Sequence, residues 1–320
     1  MKKRKIILDT DPGIDDAIAM AVLIRECRER VKLVLTSYGN TTLENASRNA
    51  VSLLSLMNAD IPVIRGASKP APGNSIYADA SNVHGCDGLG GLQHELTAAS
   101  PEKLPESGGD ADYLRVIYDA IIGEGRVDYI SLGPLTNLAG LIRRYPDVTE
   151  HIGLAVAMAG GIGFGNVTPH AEFNIYCDAE SADFVFGAIR DMILVPLDIT
   201  TKIAFDMPAI ERIGEAGNRI AESMAAVLKI NYELCRALGD AGAVMHDATA
   251  ILAYLYPEMF NLKPIGLRVE CGKERYGKCL PVSHETNRTA NIRAATDFNA
   301  SAASAEWALS RITNCIVNFE

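Results

Sequence analysis

Apolar runs of strand length recur along the chain, and a stretch of helical periodicity follows most of them. Lys5–Leu8 leads into a helix near Asp15–Glu29. Val31–Ser37 leads, through Gly39-Asn40, into a helix near Leu43–Met57. Ile61–Ile64 is a short third strand. Val127–Leu132 leads, through Gly133-Pro134, into a helix near Leu135–Arg144. Ile152–Ala159 ends in Gly160-Gly161, and Met192–Leu197 ends at Asp198. Ala209–Gly239 is mainly helical, and a further helix runs from His246 through Tyr256. Strands that alternate with helices predict an α/β fold with a mostly parallel, Rossmann-like central sheet covered by helices on both faces. No low-complexity linker or internal repeat divides residues 1–320, so the pattern predicts a single domain. Pro70–Ser107 is rich in Gly, Pro, Ser and Asn, and is long enough to be a functional loop region.

Polar residues punctuate this pattern at one recurring place. Asp9, Asp11, Asn40, Asn137, Asn166 and Asp198 all fall at or just beyond the carboxyl end of a predicted strand. In open α/β sheets those ends face a common crevice where ligands bind.

Charge narrows the ligand. The net charge of -10 gives no general attraction to nucleic acid or to an anionic membrane. The expected partner is therefore a small molecule, with no nucleic acid and no membrane. Behind the basic start Lys2-Lys3-Arg4-Lys5, the apolar run Ile6-Ile7-Leu8 is too short for a signal-peptide core, and no segment is apolar enough to span a bilayer. The seven cysteines show no CxxC pair and no zinc spacing, which fits idle thiols in a reducing, cytoplasmic setting.

The densest chemistry is at the start. Asp9, Asp11, Asp15 and Asp16 stand within one strand-to-helix turn, around Pro12-Gly13. Like charges this close repel, and a bound divalent cation relieves them. Carboxylate oxygens at flexible spacing suit Ca²⁺ or Mg²⁺ better than zinc. Two other readings stand beside this one. Asp15 and Asp16 can serve the positive end of the following helix, or Asp9-Thr10-Asp11 can be the nucleophile loop of an aspartate-based phosphatase. Pro12-Gly13 departs from that loop, and no convincing lysine and acidic pair follow in order.

Three other segments carry candidate groups. Gly160-Gly161-Ile162-Gly163-Phe164-Gly165-Asn166, followed by Glu172-Phe173-Asn174, offers amides and a carboxylate to hydroxyls. A surface turn with an edge strand would explain its glycines but not its Asn, Glu and Asn. It lacks the Gly-Lys-Ser/Thr ending of a phosphate loop. His246-Asp247 opens a helix, where Asp is also a favoured cap. His84 lies in a glycine-rich stretch.

Taken together, these motifs resemble the nucleoside hydrolase family of the inosine–uridine-preferring type. The matching pieces are DTDPGIDDA at 9–17, YGN at 38–40, HGCDGLGG at 84–91, LGPLTNLA at 132–139, GGIGFGN at 160–166 with the segment 171–182, and HDATAILAYLYPE at 246–258. Ser181 departs from the small apolar residue of the family pattern. The resemblance implies Ca²⁺-dependent hydrolysis of the N-glycosidic bond of ribonucleosides. It implies Ca²⁺ held by the side chains of Asp11, Asp16 and Asp247 and the carbonyl of Leu132. Asp15, Asn40, Asn166, Glu172 and Asn174 would hold the ribose, with Phe173 and Asp247 in the same substrate set. Asp9 would support the site, Asp11 would take a proton from water, His246 would protonate the leaving base, and His84 would lie on a loop closing over it. Filling the His246 position leans toward pyrimidines or both base classes. Asn231, Tyr232 and Cys235 are base-contact candidates. The family implies a homodimer or homotetramer, and a role in nucleoside salvage. A non-catalytic nucleoside-binding protein on the same scaffold is the alternative.

Overall fold

The computed structural model describes residues 3–71, 87–92, 113–282 and 291–319. Its first half runs β1 (Lys5–Thr10), α1 (Ile14–Cys27), β2 (Val31–Thr36), α2 (Leu43–Leu56), β3 (Val63–Arg65), α3 (Tyr113–Glu124), β4 (Val127–Ser131), α4 (Thr136–Arg144), α5 (Val148–His151) and β5 (Ile152–Met158). Then come α6 (Phe173–Cys177), α7 (Ala179–Ala188), β6 (Met192–Val195), α8 (Leu197–Thr200), β7 (Ala204–Phe205), α9 (Met207–Gly214), α10 (Arg219–Leu238), β8 (Ala243–Val244) and α11 (His246–Leu255). The chain closes with β9 (Phe260–Val269), β10 (Cys279–Val282), β11 (Ile292–Phe298) and α12 (Ala305–Val317).

Nine strands form one sheet in the order β10-β9-β11-β6-β5-β4-β1-β2-β3. From β3 to β11 every neighbouring pair is parallel, while β9 pairs antiparallel with both β11 and β10. The strands feed two cores from their two faces. Ile6 and Leu8 of β1 join one core with α1, α10, α11 and α12, and Ile7 joins the other with α3, α4 and α7. In β5, Val156 and Met158 face the first core while Ala155 and Ala157 face the second. A strand apolar on both faces must be covered on both, which is why the apolar runs are nearly continuous. Among the described residues, no helix is long and apolar enough to cross a membrane.

The eleven predicted elements are all present, with ends shifted by a few residues. Sequence pattern assigned nothing beyond Tyr256, and there the structure adds β9, β10, β11 and α12. These strands are harder to read because they sit at the sheet margin. Pro264 is tolerated in β9 because the stretch Phe260–Ile265 pairs only with β11, and Pro281 because β10 is the edge strand. The edge strand considered for the Glu172 region is not there: the helix α6 begins at Phe173, capped by Glu172.

Connectivity decides where the site lies. The chain runs outward from β1 through β2 to β3, then returns to place β4 on the other side of β1. The carboxyl ends of β1 and β4 therefore flank the point where strand order reverses, and the loops leaving them diverge to opposite sides and leave a crevice.

Candidate active site

Asp9 is the last inward residue of β1 and is fully buried. Its carboxylate accepts from the Tyr129 hydroxyl at 2.7 Å and from the Asn137 amide at 2.8 Å. Burial outweighs these two donors and pushes its pKa up to about 7. Asn137 also accepts from the Ala67 backbone N–H at 2.8 Å, so one buried amide ties β1 to the segment after β3. Replacing Asn137 by Leu strands both Asp9 and that N–H. The expected loss is about 3 kcal/mol of unfolding free energy, measured by urea denaturation. A loss under about 0.5 kcal/mol, the size of an ordinary surface substitution, would show that the tie is idle.

Above this floor lie four more acids. Asp11 Oδ2 accepts from the Asn40 backbone N–H at 2.7 Å, while its buried Oδ1 has no hydrogen-bond partner. Gly39 and Gly133 press on this carboxylate. A Cβ at Gly133 would stand 2.6 Å from Oδ1, and one at Gly39 would overlap Oδ2, so the glycines are what allow Asp11 its seat. Asp16 accepts from the Thr10 hydroxyl, from Gly13 N–H at 3.0 Å and from the Asn40 side-chain amide at 2.9 Å. Asp16 is thus a helix-capping residue and a member of the cluster at once. Asn40, expected to hold ribose, has both its backbone and side-chain donors on these two acids.

Asp15 and Asp247 join the ends of α1 and α11. Asp15 Oδ2 accepts from the Asp247 backbone N–H at 2.8 Å, and Asp15 Oδ1 is buried without a partner. Burial, then the charge of Asp16, drives Asp15 up to about 7 against the N–H groups of Asp247 and His246. Asp247 is pushed well above the carboxylate range by burial and then by the charges of Asp16, Asp15 and Asp11. Asp11 is likewise raised by burial and by Asp16.

The second wall is the Gly160–Asn174 segment. Glu172 caps α6: its carboxylate accepts from Gly160, Asn174 and Ile175 N–H groups at 2.7, 2.8 and 3.1 Å. Burial nonetheless raises its pKa. The Asn174 amide donates to the carbonyls of Leu132 at 2.7 Å and Met158 at 3.0 Å. The Leu132 carbonyl is therefore at the end of β4, beside Asn174. Asn166 accepts from Phe173 N–H at 2.9 Å and is exposed. Phe173 packs beside Tyr38, Ala67 and Cys177. Asp198 pins the glycine loop by accepting from Ile162 and Gly163 N–H at 2.8 and 3.0 Å.

His246 opens α11, and its Nδ1 lies 2.7 Å from the Thr200 hydroxyl. Asn231 donates to the Val244 carbonyl at 3.0 Å and accepts from the Cys235 thiol at 3.4 Å, so both face the strand that precedes His246. Tyr232 packs against the first core. His84 lies outside the described residues.

The comparisons with known proteins bear on this arrangement. A family model described as inosine-uridine preferring nucleoside hydrolase matches residues 6–305. The chain belongs to this family. It is accordingly a nucleoside hydrolase, an enzyme of the glycosyl hydrolase type, and neither the phosphatase nor the non-catalytic reading survives. It is similar to the pyrimidine-specific ribonucleoside hydrolase RihA of Escherichia coli O127:H6, 38% identical over 259 residues, covering 80% of this chain and 81% of the relative. In structure it is similar to a plant nucleoside hydrolase, with a TM-score of 0.84 and 27% identity, covering 98% and 99% of the two chains. A purine-preferring ribonucleoside hydrolase from Gardnerella vaginalis shares the fold, with a TM-score of 0.86 at 22% identity over 99% of each chain.

In this nucleoside hydrolase, Asp9, Asp11, Asp15, Asp16, Asn40, Leu132, Asp247 and the Glu172–Asn174 set converge on the ends of β1, β4 and β5. The residues that sequence reading passed over are those that hold the acids. Tyr129 sits inside an apolar strand and looks like core. Thr136 accepts from the Tyr38 hydroxyl and donates to Asp178, each at 2.8 Å, bracing the wall below Phe173. Thr200 looks like one more helix threonine. No local signal marks any of them, because each acts through a partner remote in sequence.

The donors also fit a hard cation. All are oxygens: three carboxylates and the Leu132 carbonyl, with Asp11 Oδ1 buried and unpartnered. Among the described residues, no three His, Cys, Asp or Glu side chains form a finished cation cage, since Asp16 is turned to Thr10, Gly13 and Asn40. The fit rests on donor chemistry and on the unpartnered oxygen.

Proposed function

We propose that this enzyme hydrolyses ribonucleosides to free base and ribose with Ca²⁺ as its cofactor, prefers pyrimidine bases, and serves nucleoside salvage in the cytoplasm. One observation carries the reading. Buried acids with unpartnered oxygens stand at the switch point of the sheet, with the Asn174–Leu132 wall at the same strand ends and with His246 on the helix start that Asp15 caps. Asp11, Asp16, Asp247 and the Leu132 carbonyl would hold the cation. When bound, Ca²⁺ supplies positive charge that orders the ribose diol and favours the deprotonated form of a water. Among the described residues the cysteines are free and mostly buried, which suits a reducing compartment.

The chain's own groups account for the rest. Breaking the C1′–N bond builds positive charge on the sugar, as in other glycoside hydrolyses. A carboxylate-rich crevice lowers the energy of that charge. Asp15, Glu172 and Asn174 orient the ribose through the oxygen lone pairs not spent on the fold. Asp11 accepts the proton of the attacking water. His246 gives a proton to the departing base as the base takes the bonding electron pair.

The pyrimidine preference rests on RihA, whose name states it, and on the presence of His246. A ribose-release panel over uridine, cytidine and inosine tests it. Uridine and cytidine should exceed inosine in kcat/KM by about tenfold or more, the scale one pocket can impose on base choice. Inosine turned over as well as uridine would overturn the preference. Phosphate release from a sugar phosphate without ribose release from any nucleoside would overturn the activity itself.

A further inference from the structure

His246 is held by more than its own helix. Its Nδ1 is 2.7 Å from the hydroxyl of Thr200, which is fully buried at the end of the short α8. The two residues are 46 positions apart, yet their separation is set by a small dedicated structure. β7 and β8 form their own antiparallel ribbon, pairing Ala204 with Val244 and Phe205 with Ala243. Directly beyond it, the Met245 N–H donates to the Ile203 carbonyl at 2.9 Å. Asn231 adds its bond to the Val244 carbonyl from α10. The ribbon thus joins the segment just after Thr200 to the segment just before His246.

From this geometry we infer that Thr200 is a positioning residue, whose hydroxyl fixes the ring of His246 so that Nε2 is the nitrogen presented to the leaving base. The inference rests on the role proposed above for His246. A hydroxyl hydrogen-bonded at Nδ1 sets the ring's rotation about its side-chain bonds. When the ring is protonated, Thr200 Oγ1 accepts from Nδ1–H, which leaves the Nε2–H of the imidazolium as the hydrogen available to the base. In the step served, the C1′–N bond breaks, its electron pair goes to the base, and the Nε2 proton of the His246 imidazolium passes to the base, leaving neutral imidazole. Hydroxide derived from water joins C1′, with its other proton on Asp11. A ring free to rotate loses this alignment, and small misplacements of a catalytic group are expensive in rate.

The alternative is that the bond merely satisfies a buried hydroxyl. Leaving-group chemistry separates the two. A 4-nitrophenyl riboside departs as a stable anion and needs little protonation, whereas uridine needs it. The Thr200→Val variant should lose about 10- to 100-fold in kcat for uridine with KM little changed, and keep its rate with the nitrophenyl riboside. Thr200→Ser should recover most of the uridine rate. Retained riboside turnover also certifies that each preparation is folded. Equal losses on both substrates, or no loss on either, would overturn the positioning role. His246→Ala is measured alongside: if it leaves uridine turnover intact, the reading of His246 fails. If His246→Ala impairs uridine turnover while Thr200→Val does not, the inference about Thr200 alone fails.

Discussion

Replacing Asp11 by Ala lowers kcat with nucleosides by about a thousandfold or more, in the range expected when water activation and a cation ligand are lost together. No other single carboxylate combines so many constraints. Asp11 projects from the first position beyond Thr10, between two glycines that admit no Cβ, with one oxygen on Asn40 N–H and the other buried and unpartnered. An unpartnered buried carboxylate oxygen destabilises a fold unless something else uses it. Removing it should therefore leave the protein folded and no less stable, while activity collapses. Stopped-point ribose assays together with thermal unfolding check both halves. A variant that keeps turnover within about tenfold of the parent, less than general catalysis by one group contributes, would break the account at its centre.

Chelation should remove activity, and added Ca²⁺ should raise Tm by an amount that grows with pH. The sign follows from the buried acids. Asp9 and Asp15 titrate near 7 in the folded protein, against 3.8 for the ordinary side chain. Between those values the folded chain holds more protons than the unfolded chain, so the contribution of these groups to stability falls as pH rises. It is fully present below about 4 and lost as pH passes 7. Asp11 and Asp247 shift in the same direction, first through burial and then through neighbouring charge. In cation-free protein, unfolding temperatures should therefore drop between pH 5 and pH 8, and Asp15→Asn should flatten that slope. Ca²⁺ replaces the missing protons, so its stabilisation should be small at pH 5 and large at pH 8. The same Ca²⁺ increment at both pH values would show that the cation does not neutralise this cluster.

Much of the site was legible before the fold was known. Apolar runs followed by glycine and then an acid or amide mark the carboxyl ends of parallel strands, and ligand groups cluster there for topological reasons. Asp9, Asp11, Asn40 and Asn137 all lie where that reasoning put them. What could not be read is how each lone pair is spent. Asn40 serves Asp11 and Asp16, and Glu172 serves two backbone N–H groups at the start of α6 and that of Gly160 beyond β5. A sequence names the donor type but does not say which acceptor lies within 3 Å.

The acidic turn shows the same division most clearly. Local sequence determined that one acid closes a buried strand and three follow it, that Pro12-Gly13 turns the chain, and that Asp16 caps the helix it begins, since strand alternation and capping act over only a few residues. Tertiary structure alone decided that Asp15 caps a second helix 232 residues away, that the charge of Asp16 acts on Asp247, and that Thr200 meets His246. The physical reason is the parallel sheet. Its crossover connections carry the chain far from each strand end and bring the next one back beside it, so the groups that share one charge cluster are neighbours in space and strangers in sequence.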